Sequence, residues 1–137
     1  MIFKQVFDTK SSTYTYIIAS GKGREALIID PVIENVENYI KLLNELDLKL
    51  VKVIDTHIHA DHVTGASKLK LATNCSTLMG EHTPADAVEI KVKDDEIIKI
   101  DQIEIKAMYT PGHTSDSYSF LMDSYPLRNY NLSLIHI

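Results

Sequence analysis

The sequence predicts an α/β chain, and three observations carry that prediction. Three short runs rich in β-branched and aromatic residues fill the first thirty positions, an amphipathic helix follows, and another β-branched run leads directly into a histidine-rich segment. The first runs are Ile2 to Phe7, Thr13 to Ala19 and Glu25 to Ile29, separated by Ser11-Ser12 and by Gly21-Lys22-Gly23. Such side chains fit a pleated, half-buried surface and the small separators make turns, so an antiparallel meander is expected. Asp30-Pro31 stops the third strand. From Glu34 to Leu48 the apolar Val36, Tyr39, Ile40, Leu43 and Leu46 recur at three- and four-residue spacing, which predicts a helix whose apolar stripe covers one face of the sheet.

Leu50 to Ile54 reads as the next strand, and Val63 to Leu71 as a second helix. A short strand is expected over Ser76 to Met79, then a helix start at Thr83-Pro84 before a polar stretch that ends near Glu96. Ile97 to Ile100 and Ile103 to Tyr109 make a hairpin with Asp101-Gln102 at its turn, and Ser117 to Met122 reads as one more strand.

At 137 residues and 45% hydrophobic content the chain can build one domain with a core. The 14 basic and 19 acidic residues give a net charge of -5, and the basic ones are scattered, which excludes nucleic acid and anionic membrane as partners. Met1 to Asp8 has no basic segment followed by an apolar one, and no apolar run approaches the ~20 residues of a membrane span, so a soluble, cytoplasmic chain is expected. The single cysteine, Cys75, forms no internal disulfide, which suits a reducing compartment. With no motif around it, it reads as a small buried apolar side chain.

His57, His59, Asp61 and His62 fall within six residues, directly after an apolar strand that holds a loop in fixed geometry. In an extended segment side chains alternate with period two, so His57 and His59 point the same way and grip one ion together. Asp61 and His62 reach a second ion or orient the ligands of the first. Imidazole nitrogen plus carboxylate oxygen suits zinc and iron(II). His113 sits in Thr110-Pro111-Gly112-His113-Thr114, again a strand, a tight turn and a histidine, and is the natural third nitrogen ligand. His82 and His136 read as ordinary polar side chains.

The His-x-His-x-Asp-His pattern followed by Pro-Gly-His-Thr resembles the metallo-β-lactamase superfamily. The resemblance implies an αββα sandwich, of which this chain is the N-terminal portion, with the metal site at the edge between the sheets. Ile29-Asp30-Pro31-Val32, Asp55 to Gly65 and Thr110 to Thr114 look like the persulfide dioxygenase branch, with Thr64-Gly65 standing where hydroxyacylglutathione hydrolases usually carry Gly-Gly. In that branch one iron(II) per chain is held by the residues corresponding to His57 and His113 and by a later aspartate. His59, Asp61 and His62 then lie around the ligands, Asp61 being a catalytic candidate. Glutathione persulfide and dioxygen are converted to sulfite and glutathione. The alternative is a thioester hydrolase with two zinc ions per chain, held by His57, His59, Asp61, His62 and His113. Either way the partner is a small thiol-derived molecule, and a homo-oligomer is compatible with both.

The match runs from Met1 to Asp123, and residues 124–137 depart from the family, as a frameshifted or artefactual end does. No Asp or Glu follows Asp123, and Asp123 itself comes too soon after His113 to be the later ligand. A third alternative is therefore an inactive, truncated fragment, with uncovered apolar faces and poor solubility.

Overall fold

The computed structural model describes residues 1–58, 64–83, 88–112 and 114–122 in full, and the backbone of 123 and 131–134. Its elements run β1 (Ile2–Asp8), β2 (Thr13–Ala19), β3 (Glu25–Ile29), a 3-10 turn (Ile33–Asn35), α1 (Val36–Glu45), β4 (Lys49–Ile54), α2 (Ala66–Thr73) and β5 (Ser76–Gly80). There follow β6 (Ile90–Val92), β7 (Ile97–Ile100), β8 (Ile103–Tyr109), β9 (Tyr118–Asp123) and β10 (Asn131–Leu134). One sheet has six strands in the order β1-β2-β3-β4-β5-β6, and the other has four in the order β10-β9-β8-β7.

The first sheet changes character along its width. β1, β2 and β3 form the expected antiparallel meander, while β3, β4, β5 and β6 run parallel. Parallel neighbours need a crossover, and α1 and α2 supply it on one face between β3, β4 and β5. Alternation then sorts the side chains: Ile17, Ile28 and Val53 join Tyr39, Leu43 and Leu69 under the helices, while Ile18, Leu27 and Ile54 join Ile105, Phe120 and Met122 between the sheets. The layers are helix, sheet, sheet. Among the described residues no helix covers the outer face of the second sheet, and none is long and apolar enough to cross a membrane.

Several elements differ from expectation. α1 ends at Glu45 rather than Leu48, because Asp47 turns left-handed (φ 55°) and the Leu48 amide folds back onto the Leu43 carbonyl at 2.8 Å. α2 starts at Ala66 rather than Val63, because Thr64 is held in a β-bridge to Val32. Gly65 then packs so tightly that an added Cβ would stand 2.8 Å from Val36 Cγ2. β6 lies inside the stretch read as polar; it is a short edge strand with Val92 buried and Ile90 and Lys91 exposed. The helix start at Thr83-Pro84 falls partly on residues 84–87, outside the described residues. In the segment set apart by sequence, 124–137, the backbone of β10 extends the second sheet, Asn131 opposite Asp123 and Leu134 opposite Phe120.

Gly80 closes the gap between the sheets. A Cβ there would lie 2.0 Å from Tyr118 Cε1 and 2.1 Å from Cδ1. Gly80→Ala is therefore expected to displace the Tyr118 ring and to cost about 1–3 kcal/mol, as overpacking does. Calorimetry should read this as a melting point several degrees lower, and an unchanged one would contradict the packing described.

Candidate metal centre

β4 ends at Ile54 and delivers Asp55, Thr56 and His57, all buried, to the edge of the sandwich. Beside it β3 ends at Asp30, whose backbone is left-handed (φ 55°), a conformation aspartate tolerates better than most residues. Asp30 accepts the Thr56 amide at Oδ1 and the Thr56 hydroxyl at Oδ2, each at 2.8 Å. The Thr56 oxygen lies 3.0 Å from His57 Nδ1. Thr56 has one hydroxyl proton and gives it to Asp30, so its oxygen accepts from Nδ1, which is thereby assigned as the protonated ring nitrogen. In the neutral ring that tautomer carries its lone pair on Nε2, the form in which histidine binds a metal ion.

The neighbouring groups are tied just as closely. Thr64 donates its hydroxyl to the buried Asp55 carboxylate, at 2.8 and 3.0 Å, anchoring the far end of the histidine-rich segment. Asp116, also buried, accepts the Ile58 amide at 3.0 Å on one oxygen and the Thr114 hydroxyl at 2.5 Å on the other. It thus joins the residue after His57 to the residue after His113. The Tyr118 amide, at the start of β9, donates to the Thr56 carbonyl at 2.9 Å, a second bond from the stretch after His113 to the first motif.

Of the residues predicted as ligands, His57 stands at the sheet edge as expected, whereas His59, Asp61, His62 and His113, like His136, lie outside the described residues. Among the described residues no three His, Cys, Asp or Glu side chains cluster around one point. Asp123 ends β9 opposite Glu104, while Tyr118 begins it opposite Tyr109. At ~3.3 Å per residue that puts it roughly 17 Å along the strand from the site. Cys75 is buried and free, as its surroundings in the sequence suggested. Sequence reasoning gave no role to Asp116; its signal is the Thr114-Ser115-Asp116 pattern, short side chains that bond locally. In the sequence Asp30 signals only a strand stop and a family marker.

Burial pushes the Tyr118 phenol above its ordinary value of 10.0, and the Glu81 and Asp94 carboxylates add to the rise. A raised value in the fold means the folded chain holds this proton more tightly than the unfolded one, so stability falls as pH climbs past 10 toward the folded value. Tyr118 should titrate late by absorbance, and the melting point should drop above about pH 10. Tyr118→Phe should lose part of that alkaline drop; an identical profile would contradict the assignment.

The fold and the site together define the class: a profile described as the metallo-beta-lactamase superfamily matches residues 8–126, and the chain belongs to that family. Within it, the chain is 32% identical over 128 residues to bovine "Persulfide dioxygenase ETHE1, mitochondrial", covering 93% of this chain and 50% of that protein. It is 34% identical over 113 residues to a probable hydroxyacylglutathione hydrolase of Schizosaccharomyces pombe, covering 81% and 44%. The crystal structure of ETHE1 from Myxococcus xanthus superposes with a TM-score of 0.85 at 40% identity, over 89% of this chain and 54% of that one. A metallo-beta-lactamase from Staphylococcus aureus gives 0.79 at 31% identity, over 89% and 38%. The chain spans about half the length of the curated relatives it matches.

Proposed function

We propose that this chain carries the first half of an iron-dependent persulfide dioxygenase site acting on glutathione persulfide. The observation behind the choice of branch is the likeness to ETHE1 proteins, at 40% identity in one solved structure, together with Thr64-Gly65 after the histidine motif. His57 and His113 would hold one iron(II), with a carboxylate or water completing the site, and His59, Asp61 and His62 would line the surroundings. The buried Asp30, Thr56 and His57 row fits such an ion, since holding the proton on Nδ1 makes Nε2 the nitrogen whose lone pair a neutral His57 would offer. Iron(II) bound there would supply the redox chemistry by which dioxygen oxidises a sulfane sulfur. The reaction balances as glutathione persulfide, dioxygen and water giving glutathione and sulfite: both dioxygen atoms and one water oxygen end on the outer sulfur. Thr56 and Asp30 hold the imidazole tautomer, and Asp116 holds the two motifs together. The unpaired, buried Cys75 favours a reducing compartment such as the cytoplasm.

A hydrolase reading is favoured by the likeness to hydroxyacylglutathione hydrolases, and would use two zinc ions and all five candidate ligands. The test is to purify the protein anaerobically with iron and zinc both supplied, count the metals, and follow oxygen with an electrode. About one iron per chain and oxygen uptake on adding glutathione persulfide is the expected result. Two zincs and release of glutathione from a thioester without oxygen uptake would overturn it.

A further inference from the structure

A second set of side chains meets at the same edge. His82, two residues past β5, stacks on the Tyr109 ring with centroids 3.8 Å apart and planes 5° from parallel. Its Nδ1 lies 3.1 Å from the Tyr118 hydroxyl, and the two tyrosine rings are 5.4 Å apart. Each tyrosine also reaches a different segment of the chain. The Tyr118 amide donates to Thr56, immediately before His57. The Tyr109 hydroxyl donates to the Ser115 carbonyl at 2.7 Å, two residues past His113, and its amide donates to Asp94 at 2.8 Å.

Burial alone does not account for this arrangement. Tyr118 is buried, but His82 is exposed and Tyr109 only half-buried, so two of the three rings gain little from leaving water. Ordering them costs rotamer freedom. What the set delivers is directional: a bond to the His57 side, a bond to the His113 side, and a stacked pair between. Metal ligands on separate segments must be held to within about 0.5 Å, and outer partners are what hold them.

We propose that His82, Tyr109 and Tyr118 form a clamp that sets the spacing between the His57 and His113 segments and thereby tunes the metal affinity of the site. The clamp rests on the metal-centre reading above. His82 and Tyr118 are positioning residues: they act through the two segments they join.

The test uses the full chain, its Tyr118→Phe variant, which keeps the ring against Gly80 and removes the hydroxyl, and its His82→Phe variant, which keeps a stacking face and removes Nδ1. Cobalt(II) is titrated in as the probe, reading both dissociation constant and visible spectrum, and the melting point of each metal-free protein is recorded. Expected are metal-free melting points close to the parent's, cobalt(II) binding weaker by about ten-fold or more in both variants, and a shifted visible spectrum. Parent-like affinity and spectrum in both variants would overturn the clamp, as would an affinity loss that merely tracks a lowered melting point. If the parent itself takes up no cobalt(II), the metal-centre reading fails and the clamp with it, an outcome distinct from the parent binding well and the variants matching it.

Discussion

Replacing His57 with alanine is expected to abolish stoichiometric metal uptake while leaving the sandwich folded. The side chain is buried at a strand end, but its neighbours Asp55 and Thr56 keep their own bonds to Thr64 and Asp30, so the sheet edge stays organised. Losing an outer partner of a metal ligand already costs 10–100-fold in affinity, so losing a ligand should cost at least about a hundred-fold. Equilibrium dialysis against iron(II) or cobalt(II), with circular dichroism as the check on folding, reads both halves of the expectation. Unchanged metal content would remove His57 from the ligand set.

Asp30 offers the second large effect, and two substitutions separate its roles. Asp30→Ala strands the Thr56 amide and hydroxyl in a buried place and puts alanine at φ 55°. Unsatisfied donors cost about 1–3 kcal/mol each, and the left-handed backbone adds about 1–2, a large share of the 5–15 kcal/mol that holds a typical domain. Aggregation or a much lower melting point should follow. Asp30→Asn tolerates the backbone. Its amide oxygen can accept the Thr56 N–H, but its NH2 then donates to the Thr56 oxygen, and the threonine proton turns to His57 Nδ1. That moves the imidazole proton to Nε2, the wrong nitrogen for a ligand. The asparagine variant should therefore fold and yet bind metal poorly, with nitrogen NMR of His57 showing the switched tautomer. Parent-like affinity in a folded Asp30→Asn chain would refute this reading of the row.

Much of the fold was legible because its signals are local. β2, β3, β7 and β8 carry clean β-branched alternation or turn residues at both ends, and the structure places them where the sequence did. β6 was hidden because three residues with one buried side chain make no periodic pattern. The start of α2 was hidden because the bridge between Val32 and Thr64 spans 32 positions and overrides local helix preference. The site divides in the same way. His57 stands out in the sequence because several ligand-type residues crowd one short segment. The partners that orient it were not, since Asp30 acts on Thr56 from 26 residues away and Asp116 on Ile58 from 58. Such contacts exist only after the sheets have docked.

The two sheets are stitched at both ends. At the end away from the site the Asp101 carboxylate accepts the Glu25 amide at 2.9 Å, Glu25 accepts the Asp101 amide at 3.2 Å, and Lys52 caps the Lys99 carbonyl at 2.6 Å. At the site end the stitches are Tyr118 to Thr56 and Asp116 to Ile58, flanking the candidate ligands. A metal ion gripped from both motifs would be a third stitch there, so metal supply would govern more than turnover. At free metal one hundred times its dissociation constant the folded chain gains about 2.7 kcal/mol. A cell short of the metal would then hold a protein whose sheets part more readily, and proteases, which cut opened chains, would clear the empty form before the loaded one.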